Sequence, residues 1–304
     1  MTDKLIPADP STVMVIRQIT PNITTCSVPF ARFGKFKVGG RGTIGMYSPS
    51  LRLNTHFQFA ALQPIPPAPL IANLLPHPVR LQSGRLVIFS PVALTPSVRT
   101  HLLSLGNQVS YIIALDYEHH IFITEWAEAF PSAKLIGPEG IAEKRTKAGC
   151  PHGTKFDYEF TKENMSAMKI DEEFDTEFEY EYFPAHANKE LLFYYKPEKT
   201  LIEADLVFNL PATEQYSKSG EDPTTGALTK LFIGLQNTQG TAIWQKRFIW
   251  YVACKDREGF KKGVERVVRD WDFERLIPCH GDVIETGGKG VFEKVMGWFL
   301  GGKQ

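Results

Sequence analysis

Two stretches of this 304-residue chain decide its fold, "TLIEADLVF" at residues 200–208 and "LIPCHGDV" at residues 276–283. Each contains a short apolar run of the kind that forms a buried strand. The first carries Asp205 near its end, and His280 and Asp282 follow the apolar residues of the second. Loops that leave strand ends converge on one rim of a layered α/β protein, so we expect these side chains to meet there.

Two further motifs place histidines and acids directly after an apolar run. The motif "ALDYEHHIF" spans residues 114–122, and "FPAHANKE" spans residues 183–190. Their candidate metal-binding side chains are Asp116, Glu118, His119, His120 and His186. Several histidines with an Asp or Glu are the usual composition of a catalytic zinc site. The alternative interpretation is that the adjacent pair at 119–120 only begins the following amphipathic helix.

The order of predicted elements indicates the architecture. Strands come first and helices after them, and this order occurs twice along the chain. Helices are predicted at residues 96–106, 241–254 and 256–270, whereas residues 209–226 are predicted to form a long polar loop. Two such sets predict two sheets packed face to face with helices outside, a four-layer α/β/β/α sandwich.

Composition excludes several classes of protein. The chain has 34 basic and 34 acidic residues, so a nucleic-acid partner has no electrostatic support. No apolar run reaches the roughly 18 residues of a membrane-spanning helix, and the N-terminus lacks the order of a signal peptide. The four cysteines are far apart, which favours reduced thiols, with Cys279 buried in the core. We therefore expect a cytoplasmic protein that acts on a small molecule, without a membrane partner.

Residues 46–80 do not fit this pattern. They contain seven of the chain's 21 prolines, and their only charged residues are Arg52 and Arg80. No helix or strand period continues through "PIPPAP", and a structureless loop of this length is unusual inside a compact domain. We treat the chain as one domain, residues 1–304, with an irregular proline-rich insertion. Our hypothesis is a retained intron; the alternative is a loop that binds a protein partner.

The order and spacing of the motifs resemble the metallo-β-lactamase superfamily. The chain is most similar to a fungal branch known only as a domain of unknown function, in which "EHH", "GPEG", "KTLIEADLVFNLPATEQ" and "PCHGDVIETGGKG" recur in this order. The resemblance covers most of residues 12–298 except 46–80. It implies an αββα sandwich that binds one or two metal ions at its edge.

The resemblance also implies a set of metal ligands. By position, His120 matches the last His of the family's first motif, His186 its lone His, Asp205 its bridging Asp, and His280 its final His. His119 takes the place of an Asp of the first motif. Asp282 is the candidate hydrogen-bond partner of a ligand histidine.

This chain departs from the family at two early positions. In an alignment without gaps, the first two histidines of the family motif are replaced by Leu115 and Tyr117, which cannot bind metal. That departure favours a site with one divalent ion over a site with two ions or none, and zinc is the expected ion. A register shifted by one residue would let Asp116 and Glu118 replace the missing histidines, and such an oxygen-rich site would suit Mn or Fe.

The expected function is metal-dependent hydrolysis of an ester, thioester, amide or phosphoester. A bound metal activates water and polarises the group that is attacked. Asp205 would act through the ion, and His186 would either bind it or orient the water. Two alternatives remain open, a non-catalytic binding protein with a degenerate site and an iron-dependent oxidoreductase.

Overall fold

The computed structural model describes residue 7 and residues 9–47 and 84–301. The strands of this part are β1 Val15–Thr20, β2 Ile23–Val28, β3 Ala31–Arg32, β4 Phe36–Lys37, β5 Gly40–Tyr47, β6 Arg85–Phe89, β7 Gln108–Ile113, β8 Lys134–Pro138, β9 Tyr158–Phe160, β10 Phe178–Phe183, β11 Glu190–Tyr195, β12 Thr200–Ile202 and β13 Arg275–Ile277. The α-helices are α1 Pro96–Ser104, α2 Ile123–Ala129, α3 Ile141–Lys147, α4 Glu172–Glu177, α5 Thr213–Tyr216, α6 Ala227–Leu235, α7 Ile243–Phe248, α8 Arg257–Asp270 and α9 Gly288–Val295.

The strands form two main sheets. The larger has the order β1-β2-β5-β6-β7-β8-β9, and the smaller has the order β10-β11-β12-β13. Strands β3 and β4 form a separate short hairpin. In the larger sheet β5 to β6 is antiparallel, and β6 through β9 are parallel. The motif "ALDYEHHIF" directly follows β7, and His280 lies in the loop after β13.

Alternating side chains place one apolar core between the sheets and another behind the larger one. On β6, Val87 and Phe89 point into the core between the sheets, whereas Leu86 and Ile88 pack against the helices on the outer face. This alternation follows from the two-residue period of a strand. Helix α8 covers the outer face of the smaller sheet. The four-layer αββα sandwich is confirmed.

Helix boundaries follow the predicted signals, with two differences. Helix α1 ends before Gly106, as predicted from its spacing. The predicted helix at 241–254 is α-helical only at Ile243–Phe248 and continues as a π-helical segment at Ile249–Ala253. The predicted polar loop at 209–226 contains α5, and the Glu214 amide near the start of this helix donates to the Asp282 carboxylate at 2.8 Å.

The proline-rich segment can be discussed only at its ends. Met46 and Tyr47, which we placed in the irregular insertion, belong to β5 and pair with Leu86 and Arg85. The interpretation of residues 48–80 as an insertion or retained intron lies outside the described residues. None of the helices in the described part of the chain combines the length and the apolar composition of a membrane span.

Candidate metal centre

Three side chains from distant parts of the chain converge at one edge of the sandwich. They are His119 in the loop after β7, Asp205 after β12 and His280 after β13. One potential ligand atom from each lies within 4.8 Å of the others. His280 and Asp205 are almost fully buried, and the His119 side chain is 16% exposed. This group could hold a metal ion.

The His280 imidazole is oriented by the backbone of the β4–β5 connection. Its Nδ1 lies 2.6 Å from the Gly39 carbonyl oxygen, to which only a protonated Nδ1 can donate. Its Nε2 lies 3.2 Å from Asp205 Oδ1. The rings of Phe208 and Phe30 stack on the imidazole, with centroids at 5.0 and 6.0 Å.

The His119 imidazole is oriented in the same way by a carboxylate. Its Nδ1 lies 2.9 Å from Asp116 Oδ1, which also accepts the backbone amides of His119 at 2.6 Å and Glu118 at 2.8 Å. Asp116 is fully buried, so this contact is shielded from water. A carboxylate that fixes the ring and leaves Nε2 free is the usual partner of a metal-binding histidine. Asp116 therefore contacts the ring of His119 and lies outside the three-residue cluster.

Asp205 is held by two residues that the sequence patterns did not single out. Asn188 donates its side-chain amide to Asp205 Oδ2 at 2.6 Å, and Glu190 Oε1 accepts the Asp205 amide at 3.0 Å. Burial opposes ionisation of Asp205, but the facing histidines and Arg32 lower its pKa. Oδ1 of Asp205 is buried without a hydrogen bond of good geometry. An ionised carboxylate oxygen in that position is suited to a cation.

The geometry fits a metal ion. The Nε2 atoms of His119 and His280 are 3.2 Å apart. Two nitrogens bound tetrahedrally to zinc at about 2.0–2.1 Å would be separated by about 3.3 Å. Both rings direct an Nε2 lone pair to this point when their Nδ1 atoms donate, and two facing lone pairs repel. A shared cation removes that repulsion, so the donor set suits a metal.

His120 does not join this cluster. Its Nδ1 faces the Arg145 guanidinium at 3.1 Å, and Arg145 also donates to the His120 carbonyl at 2.6 Å. Burial together with Lys144 and Arg145 lowers the pKa of His120 to about 4. Because adjacent residues point in different directions, the turn that brings His119 to the edge of the sandwich turns His120 toward α3.

His186 is buried close to the cluster but is not part of it. Its Nδ1 lies 3.3 Å from the Asn188 amide, whose side chain reaches Asp205, so one residue links His186 to the site. Its Nε2 is buried and has no hydrogen-bond partner in the described part of the chain. Burial lowers the pKa of His186, which favours the neutral ring.

Two acids named from the sequence lie elsewhere. Glu118 forms an ion pair with Lys144 at 2.9 Å and is about half exposed. Asp282 accepts the Glu214 amide at the start of α5, whereas the expected role of orienting a histidine falls to the Gly39 carbonyl for His280. Backbone carbonyls leave no signal in a sequence, so this partner could not be predicted.

The loop that carries His280 is fixed by two buried side chains. Arg41 donates to the carbonyls of Pro278 at 2.8 Å and Gly281 at 2.6 Å. Gln215 donates to the Cys279 carbonyl and accepts the Gly281 amide, at 2.8 and 3.0 Å. Cys279 itself is buried between the sheets, as predicted, and burial raises the pKa of its thiol.

Solved structures match the chain over nearly its whole length. DIM-1 metallo-β-lactamase exposed to ceftazidime aligns with a TM-score of 0.52 and 10% identity, covering 96% of this chain and 99% of that one. The chain has the metallo-β-lactamase fold. The metallo-β-lactamase from Pontibacter korlensis gives a TM-score of 0.51 at 11% identity, covering 95% of this chain and 100% of that one.

A solved structure of a flavodiiron core also matches the chain. The metal-soaked Flv1 flavodiiron core from Synechocystis sp. PCC6803 aligns with a TM-score of 0.57 and 11% identity, covering 96% of this chain and 62% of that one. At these identities the likeness establishes the metallo-β-lactamase fold alone. No protein-family model matches the chain, and no curated protein matches it.

Proposed function

We propose that this protein is a metal-dependent hydrolase that binds one divalent ion, preferably zinc, through His119, Asp205 and His280. The observation that carries the proposal is the convergence of two Nε2 lone pairs and a buried carboxylate oxygen on one point. When bound, the metal would supply an activated water and polarise the group under attack.

The residues around the cluster have separate roles in this proposal. Asp116 and the Gly39 carbonyl hold the two imidazoles in the tautomer that leaves Nε2 unprotonated. Asn188 holds Asp205 and, through its backbone amide, orients the neutral His186 ring. Because Nδ1 of His186 accepts the Asn188 amide, the neutral ring carries its proton on Nε2, and His186 is our candidate to orient the water by donating a hydrogen bond.

A cavity of about 210 Å³ borders the cluster, and both His119 and His280 line it. Its other walls are largely apolar, including Phe30, Phe33 and Phe122. Apolar walls exclude water from the reacting group and strengthen the electrostatic interactions there. The cavity supports a small-molecule substrate whose bond to be cleaved lies against the two histidines.

A second candidate function rests on the same donor set. Two histidines and one carboxylate with open positions also bind Fe(II) in non-haem iron enzymes. An iron-dependent oxidoreductase is therefore the alternative, and a non-catalytic binding protein without metal is a third.

The motifs quoted above further support our proposal that the chain belongs to the fungal branch of unknown function within the superfamily.

The test measures metal and hydrolysis on the same protein. The purified chain is dialysed against Zn(II) or anaerobically against Fe(II), its bound metal is quantified, and chromogenic esters, thioesters and phosphodiesters are offered. We expect one zinc per chain and hydrolysis of at least one class, with both lost in His280→Ala. Iron bound in preference, with a visible absorption band, would favour the oxidoreductase. No bound metal would favour the binding protein.

A further inference from the structure

One arginine of the cavity wall forms no side-chain hydrogen bond with the described residues. The charged side chains lining the cavity, apart from its histidines, are Arg32, Arg41 and Glu118. Arg41 is buried and donates to Ser27, Pro278 and Gly281, and Glu118 pairs with Lys144. Both are therefore engaged in holding the structure.

Arg32 differs from them in its contacts. Among the described residues, Arg32 pairs only with Asp205, whose Oδ2 lies 3.9 Å from Arg32 Nη1, beyond hydrogen-bond distance. That same oxygen already accepts the Asn188 amide at 2.6 Å. The Arg32 side chain is 34% exposed and lines the cavity, so a ligand there can reach its guanidinium.

The surroundings of Arg32 favour a ligand that carries both a negative charge and an apolar group. The guanidinium lies over the Phe33 ring at 5.6 Å, and Phe33 is 72% exposed at the tip of the β3–β4 hairpin. Ile121 is also partly exposed on the cavity wall. A planar guanidinium beside apolar surface binds a carboxylate through two parallel hydrogen bonds, and the low local polarity strengthens that pair.

We infer that Arg32 selects substrates that carry a carboxylate, and that the aromatic walls hold an adjoining apolar group. This inference rests on the proposed function, because it names the substrate class of the same site. The substrate would be an ester, thioester or amide with a carboxylate at one end and an aryl or alkyl group near the bond to be cleaved. The carboxylate would pair with Arg32 while that bond lies against His119 and His280.

Binding tests the inference without catalysis. Calorimetry on the metal-free protein compares 3-phenylpropanoate with its neutral amide, 3-phenylpropanamide. We expect Arg32→Gln to weaken carboxylate binding about tenfold or more, the effect of losing a charge-assisted pair, and to change amide binding less than twofold. Arg32→Lys keeps the charge but not the planar guanidinium, so its affinity for the carboxylate should lie between those of the wild type and Arg32→Gln. Arg269→Gln, an exposed arginine on α8, is the matched control and should bind as wild type.

Catalysis gives the second comparison. The zinc-loaded protein is offered 4-nitrophenyl hydrogen glutarate and the neutral 4-nitrophenyl butyrate. We expect Arg32→Gln to lower kcat/KM at least tenfold more for the anionic ester than for the neutral ester, because any effect transmitted through Asp205 is common to both substrates. If neither ester nor any other class is cleaved but carboxylate binding depends on Arg32, the hydrolase proposal fails and the anion site stands. If Arg32→Gln treats charged and neutral ligands alike in both experiments, the inference is wrong, whether or not zinc-dependent hydrolysis occurs.

Discussion

The Nε2 atoms of His119 and His280 face each other at 3.2 Å, and neither ring can turn away without losing the hydrogen bond of its Nδ1. Those bonds, to Asp116 and to the Gly39 carbonyl, direct two lone pairs at one point. The contact is stable only if a cation is shared there, either a metal ion or a proton. This relationship leads to the predictions below.

Zinc affinity should depend on pH through His119. Burial opposes the charged ring, but Asp116 and Asp205 raise the pKa of His119 to about 9 in the metal-free protein. Metal uptake must then displace a proton, so we expect affinity to rise about tenfold per pH unit from about pH 7 to 9. Competition with a chelator of known affinity measures it. An affinity that is flat over this interval, after correction for the chelator, would contradict the proposed protonation.

The same proton should stabilise the metal-free fold. His119 binds it more tightly in the folded state than in the unfolded chain, where the pKa of histidine is about 6.5. The stabilisation is complete below that pH and is lost as the pH rises through about 9. We expect the free energy of unfolding in urea to fall by roughly 3 kcal/mol across this range. His119→Gln should lack this fall; an identical pH profile in the variant would assign it to another group.

Removing the charge of Asp116 should weaken metal binding without removing a ligand. Asp116→Asn keeps an oxygen acceptor but loses the carboxylate that polarises the His119 ring. We expect zinc affinity to fall about 10- to 100-fold, with one ion still bound at saturation. His120→Gln is the matched control, since its ring faces Arg145, and it should bind zinc as wild type. A greater loss in the control would place His120 at the ion.

Gly281 should be irreplaceable for a steric reason. Its φ is +87°, and a Cβ built there would lie 2.2 Å from the Asn209 carbonyl oxygen. Gly281→Ala should therefore cost more than about 3 kcal/mol of stability and displace His280. Gly220→Ala, with φ +72° and nothing within 4 Å, should cost only the left-handed strain of about 1–2 kcal/mol. Equal losses of unfolding free energy in the two variants would show that the close contact is relieved at no cost.

The layers and the positions of His119, Asp205 and His280 could be predicted from the sequence because each follows an apolar strand. The ends of the strands in a layered fold meet at one edge, regardless of the lengths and conformations of the loops between them. The orientation of His120 could not be predicted in this way. It depends on Arg145, twenty-five residues further along the chain, and on the geometry of one tight turn.

The partners of the site were also beyond sequence analysis. In the sequence, Asn188 and Glu190 look like ordinary residues of a turn and of the start of a strand. They nevertheless hold Asp205 through hydrogen bonds between residues 17 and 15 positions apart in the chain. Gly39 contributes a carbonyl, which every residue has. Such roles depend on tertiary packing alone, and local propensity carries no signal for them.

The central claim is that His119, Asp205 and His280 hold one metal ion. Zinc content after equilibrium dialysis, measured beside circular dichroism for wild type and His280→Ala, tests it most directly. The account predicts one zinc per wild-type chain and none in the variant, with the same spectrum for both. A folded variant that retains its zinc, or a folded wild type that binds none, would contradict it.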